Sequence, residues 1–219
     1  MGKITHVPRP RKDLHLIREL PRIRTLASPV RQDIIDIIEG SGPCSVAHVA
    51  QLLGRPADSL YYHVRCLRRL GLVCERRVPG SRGRSEAVFD VPGRPMRIRY
   101  APSDRRNATA VSRVVGAMLR SAQRGFREGF VPDLAVPSGR HRNVWGARAK
   151  GWLTPADLAE ANGLLERLIA LMRRGSAAGP RARRLHELTF VLAPIAPRGP
   201  RRERRRKRMK LRGGHGQRK

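Results

Sequence analysis

The chain has 219 residues, of which 47 are Lys or Arg and 17 are Asp or Glu, a formal net charge of +30. That length suits one or two domains with a real core, and the charge points to a polyanion partner. Three cysteines are too few for a disulfide framework, and no apolar run approaches the roughly 18 residues that cross a membrane.

Residues 1–21 read as a basic, Pro-containing arm with a short apolar patch at Leu14, Leu16, Ile17 and Leu20. The opening stretch lacks the apolar core of a signal peptide, so a cytoplasmic, reducing setting is expected. Ala27-Ser28-Pro29 then starts a helix carrying Val30, Ile34, Ile35, Ile37 and Ile38, with Gly40 expected to end it. Ser45 is a good N-cap for a second helix, in which Val46, Val49, Ala50 and Leu53 recur at helical spacing and Gly54 supplies the turn. A third helix is expected to open with Pro56 and to bury Leu60, Val64, Leu67 and Leu70. Its other face carries Asp58, Ser59, Tyr61, Tyr62, Arg65 and Arg68, which is polar, aromatic and basic.

Two segments of strand composition follow, residues 72–78 and 87–91, with the basic loop Pro79-Gly-Ser-Arg-Gly-Arg-Ser85 between them. Helix, helix-turn-helix, then basic hairpin is the order of a winged helix, over residues 22–92. Residues 31–38 and 59–73, above all Leu60-Tyr61-Tyr62-His63-Val64 and Leu70-Gly71-Leu72-Val73, resemble the ArsR-like winged-helix transcriptional regulators of bacteria. Gly151-Trp-Leu-Thr-Pro-Ala-Asp-Leu158 and Leu188-Thr-Phe-Val-Leu-Ala-Pro194 resemble the companion region of one subgroup of them. The resemblance implies a dimeric, sequence-specific DNA binder; the spacing alone predicts only a winged helix.

Beyond Gly93 and Pro95, Ser103-Asp104 starts a long helix reaching toward Phe130, with an apolar stripe of Val111, Val114, Val115, Met118, Ala122 and Phe126. Val111, Val115, Met118, Ala122 and Phe126 are the candidate dimerisation residues. Around Val144, Trp145 and Trp152 a broken strand or hairpin is expected. Thr154-Pro155 with Asp157 marks a further helix start, and Leu158, Ala161, Leu165, Leu168 and Met172 form a seam for another helix, in the same chain or in a second subunit. Leu188-Thr-Phe-Val-Leu192 reads as a strand. Residues 103–193 are thus a helical companion region that either dimerises only or also receives a small-molecule or protein effector. The tail, residues 198–219, holds twelve basic residues and one acid, Glu203, and is too charged to fold alone. The remaining 197 residues still carry +19, so the basic character belongs to the folded part as well. The expected fold class is mainly α with small β elements (α+β): a winged helix-turn-helix, a helical dimerisation region and a disordered basic tail.

On the third helix Arg65 suits guanine or a phosphate, Ser59 bases or backbone, and Tyr61 and Tyr62 phosphate or a thymine methyl. Asp58 could accept from cytosine or only favour the helix dipole. One of the two tyrosines is expected to face inward, and His63 to be structural. Arg82 and Arg84 in the wing loop suit phosphates or the minor groove, and Arg68 completes the candidate DNA face. Cys44, Cys66 and Cys74 are scattered and lack ligand spacing, Cys66 reading as a buried small hydrophobe, so no metal or other cofactor is expected. No Gly-rich phosphate loop, paired carboxylates or catalytic triad is present, so the chain reads as a binding protein rather than an enzyme. Double-stranded DNA and a second copy of the chain are the expected partners, with no membrane. The alternative is a basic nucleoid-coating or RNA- or ribosome-associated protein without sequence specificity; the 4% aromatic content argues against RNA, since stacking platforms need aromatics.

Overall fold

The computed structural model describes residues 14–79, 85–174 and 184–195. The elements run β1 (His15–Ile17), α1 (Leu20–Thr25), α2 (Pro29–Ser41), α3 (Val46–Leu53), α4 (Ala57–Arg69), β2 (Cys74–Pro79), β3 (Ser85–Asp90), β4 (Met96–Ile98), α5 (Arg105–Gly129) and α6 (Pro155–Arg174). The architecture is α+β. Residues 1–13, the wing residues Arg82 and Arg84, and the tail 198–219 lie outside the described residues.

The core gathers the inward residues of the first four helices with the base of the wing. Ile34 and Ile38 of α2, Val49 of α3, and Leu60, Val64 and Leu67 of α4 pack with Leu72, Val73 and Val91. Each such side chain contributes about 1.5–3 kcal/mol on leaving water. The wing is an antiparallel pair, with Cys74 opposite Asp90 and Pro79 opposite Ser85. Cys44, just before α3, adds a bridge to Phe89 on the other side of β3. The helix-turn-helix is therefore tied to the wing through backbone.

Local chemistry explains most boundaries. The Ser45 hydroxyl accepts from the His48 amide at 3.3 Å, and Gly54 closes α3 in the left-handed region at φ 60°. Asp104 caps α5 by accepting from the Arg106 amide. Thr154 and Asp157 bond reciprocally at the start of α6, the Asp157 carboxylate accepting from the Thr154 amide at 2.7 Å. Two expected boundaries shift. Gly40 lies inside α2, which continues to Ser41; Gly42, at φ 83°, ends it by donating to the Ile38 carbonyl. Pro56 is the N-cap of α4 rather than its first residue, because its ψ of 135° is extended.

The supposed N-terminal arm contributes to the fold. β1 pairs in parallel with β4, Ile17 opposite Ile98, and Ile17 is buried in the core. Parallel neighbours need a long crossover, here the whole helix-turn-helix and wing. The long helix α5 packs on α1 and α2 through Asn107, Ala110, Val114 and Ala117. The buried Gln32 amide of α2 donates to the Val114 carbonyl at 3.0 Å.

Two expected strands are absent. Residues 141–152 and 184–195 have no regular secondary structure, although Val144, Trp145 and Leu188 to Leu192 include strand formers. A strand needs a partner edge to satisfy its amides, and the described residues provide none there. The described residues 190–195, which fall in a separate compact unit beginning at Phe190, are mostly exposed.

Candidate nucleic-acid interface

Helix α4 separates its two faces cleanly. Leu60, Val64 and Leu67 are buried, whereas Asp58, Ser59, Tyr61, Tyr62, Arg65 and Arg68 are all exposed. The expectation that one tyrosine faces inward fails: Tyr61 is 50% and Tyr62 63% exposed. At 100° per residue both lie well round the helix from the Leu60–Val64–Leu67 stripe, which already fills the inward side. An exposed pair of phenols beside an arginine is a polar surface.

Not every member of that face is free. The Ser59 hydroxyl donates to the Pro56 carbonyl at 2.7 Å, which satisfies it locally at the helix start. Arg68 pairs with Glu75 of β2, and Arg77 approaches the same carboxylate at 4.0 Å. Among the described residues Arg65 has no carboxylate partner. Arg65 is thus the unengaged cation in the middle of the helix.

Residues outside α4 border the same face. The Arg31 guanidinium of α2 stands 6.0 Å from the centre of the Tyr62 ring, within cation–π range. It also reaches back to the Thr25 carbonyl at the end of α1, 3.4 Å away. The sequence offered no sign of this contact, since the two residues are far apart in the chain. His63 is half-buried behind Tyr62, with ring centres 5.5 Å apart, edge to face. Its Nδ1 is buried without a hydrogen-bond partner among the described residues. Desolvation, with Arg31 and Arg55 nearby, holds the His63 imidazole below the ordinary histidine pKa. A structural His63 fits this setting.

The wing is anchored by charge at its base. Asp90 is fully buried and is met by Arg94 and, at 3.4 Å, by Arg76. Cys66 is only half-buried, contrary to expectation, because it sits beside rather than within the Val64–Leu67 stripe. Cys44 is the buried thiol, and burial pushes its pKa up to about 11. Such a thiol is a packing group, not a nucleophile. Among the described residues no three His, Cys, Asp or Glu side chains converge as a metal site would require, and no helix is long and apolar enough to cross a membrane.

Of the stripe expected from sequence on α5, Val114 packs inward and Val111 lies against the edge of the core; the rest lies outside the inward row. Val111, Val115, Met118 and Ala122 are half-buried and Phe126 is exposed, one side round from the buried Asn107–Ala110–Val114–Ala117 row. Phe126 stacks on Phe130 with ring centres 5.4 Å apart.

A family model agrees with the geometry of residues 26–76. The family model described as a helix-turn-helix domain matches residues 26–76, the span of α2, α3, α4 and the start of β2. No curated protein matches the chain. Among solved structures it is similar to the crystal structure of RV1404 from Mycobacterium tuberculosis, with 21% identity over 75% of this chain and 77% of that one and a TM-score of 0.23. Residues 26–76 form a helix-turn-helix domain.

Proposed function

We propose that the protein is a sequence-specific, non-enzymatic DNA-binding transcriptional regulator of the ArsR-like kind, acting as a homodimer in the bacterial cytoplasm. Helix α4 enters the major groove, with Arg65, Tyr61 and Tyr62 turned to the bases and Asp58, Ser59 and Arg68 near its rim. Arg82 and Arg84 of the wing loop take the flanking backbone or minor groove. The observation that carries this reading is the outer face of α4, polar, aromatic and exposed along its whole length and backed by a helix-turn-helix core. Two copies related by a two-fold axis would set their α4 helices about 34 Å apart, one DNA turn. The half-exposed α5 stripe Val111, Val115, Met118, Ala122 and Phe126 supplies an apolar surface for that axis. Residues 103–193 carry the dimerisation function and are the place where an effector would alter helix spacing.

Footprinting on genomic fragments tests this directly. Protected, pseudo-palindromic sites are expected. Uniform coverage at all concentrations would favour the other reading, a nucleoid coat that binds through its net charge alone.

A further inference from the structure

Helix α5 carries a second regularity. Arg106, Arg113, Arg120 and Arg127 recur every seven residues and are all exposed. Seven residues are nearly two turns, so the four guanidiniums share one side of the helix. That side lies across the buried row from the apolar stripe, so it remains open when the stripe is covered. At 1.5 Å per residue the row extends about 31 Å.

The row faces a groove. Two open troughs of about 300 and 380 Å³ share Arg113 as a wall. The first is lined by Ala27, Ser112, Arg113, Gly116 and Arg120, the second by Arg24 of α1 with Arg105, Arg106, Thr109, Ala110 and Arg113. No carboxylate lines either. Among the described residues none of Arg24, Arg105, Arg106, Arg113 or Arg120 has an ion-pair partner. Gly116 leaves room for Arg120, whose Nη1 lies 3.4 Å from where a Cβ would stand. Like charges gathered this way repel unless an anion joins them.

We infer that the α1–α5 groove is a second track for the phosphate backbone of duplex DNA, separate from the face of α4. The inference rests on the DNA-binding reading above but not on its sequence specificity. The small side chains between the arginines admit a close backbone, and the absence of an aromatic leaves no platform for an unstacked base. Length and openness fit a polymer rather than an enclosed small anion. Arg31 stands between the groove and α4: it lies over Tyr62 on one side and bonds the Thr25 carbonyl on the other, two residues before Ala27 at the groove. Contacts of this kind position and strengthen the complex and carry no sequence information.

The test uses the full chain and a random-sequence 40-bp duplex, with affinity measured across a salt series. Replacing Arg106, Arg113 and Arg120 together by Gln should lower the slope of log K against log salt by about 2–3, since each phosphate contact contributes about 0.9. The corresponding triple Lys variant should keep the slope. Arg106→Gln and Arg120→Gln singly, each folded by circular dichroism, should each lower it by about 1. An unchanged slope in folded variants overturns the track. So does a loss confined to single-stranded RNA offered as competitor. Because the probe has no operator, a failed footprint would leave this result standing, and an unchanged slope would leave the regulator reading standing.

Discussion

The guanidinium of Arg94 joins Asp90, a carboxylate with no exposed surface, to the last turn of α2. It pairs with Asp90 and donates from Nε to the Glu39 carbonyl at 3.0 Å and from Nη2 to the Ile38 carbonyl at 2.9 Å. Asp90 also accepts from the Val91 amide at 2.8 Å, so the end of β3 and the end of α2 are held by one charge pair. The Glu39 carbonyl is one that the helix end leaves without a backbone donor, since residue 43 is a proline, while the Ile38 carbonyl also accepts from Gly42.

Removing the cation should therefore cost more than a surface ion pair. Arg94→Met leaves buried Asp90 with Arg76 and the Val91 amide alone, and a loss of about 3 kcal/mol is expected from a buried charge that has lost its closest cation. Urea unfolding measures it. The paired replacement of Asp90 by Asn and Arg94 by Met should recover part of the loss, because it removes the buried charge itself. A loss under about 1 kcal/mol for Arg94→Met would mean that Arg76 alone suffices.

The second prediction separates base reading from phosphate contact on α4. Arg65 has no carboxylate partner among the described residues, whereas Arg68 is held by Glu75. Arg65→Ala should lose about 1–3 kcal/mol at one base position of the protected site and little on random DNA. Arg68→Ala should alter preference less, since its guanidinium is already engaged. Competition binding against single-base variants of the site gives both numbers. Equal losses on specific and random duplexes would make Arg65 a phosphate contact.

Helix positions were legible where side chains act on their own backbone. Ser45, Asp104 and the Thr154–Asp157 pair each announce a helix start that the structure keeps, and Phe130 closes α5 where expected. Most of the exposed set on α4 was legible too, because Leu60, Val64 and Leu67 fix which side faces in, but one of Tyr61 and Tyr62 was expected inward and both are exposed. Long-range pairings were not. β1 and β4 are three residues each and pair across some eighty positions, His15 with Met96, so no local pattern marks them. The inner row of α5 was hidden for another reason. It uses Asn107, whose side chain bonds the Ala101 amide and the Arg99 carbonyl, and alanines that permit close approach, while larger apolar residues sit beside it. The engagement of Arg68 by Glu75 likewise depends on the turn between α4 and β2, which brings together residues seven apart that neither helix nor strand spacing would pair.

A third prediction concerns pH. His63 titrates below its unfolded value because burial, Arg31 and Arg55 disfavour its charged form. As pH falls through the ordinary histidine range, the unfolded chain takes up a proton that folded His63 resists, so stability is lost on acidification. His63→Gln should flatten the fall in stability between about pH 7 and 5 relative to the parent chain. Comparing the two chains cancels the titration of the other groups. Parallel pH profiles from urea unfolding would show that His63 titrates alike in both states.

The last prediction concerns α5. Its outer stripe is half-buried at Val111, Val115, Met118 and Ala122, and it opens into Leu119 at 49% and Phe126 at 45% exposure. Beyond Ala117 no described residue is fully buried, so the apolar groups of the second half of the chain lack a core of their own. A two-fold partner covering the stripe would recover several kcal/mol at about 25 cal/mol per Å², without closing the arginine row on the far side of the helix. Met118 lies in the middle of the stripe and outside the inward row, so Met118→Glu sets a charge in the interface and leaves the helix-turn-helix core alone. Light scattering should report the parent chain at twice its 24.6 kDa mass and the variant at the mass of one chain. DNA affinity of the variant should fall with it, because each half-site contact would then be made singly. A variant that stays fully dimeric would remove α5 from the interface and return that role to α2, the helix of Ile34 and Ile38.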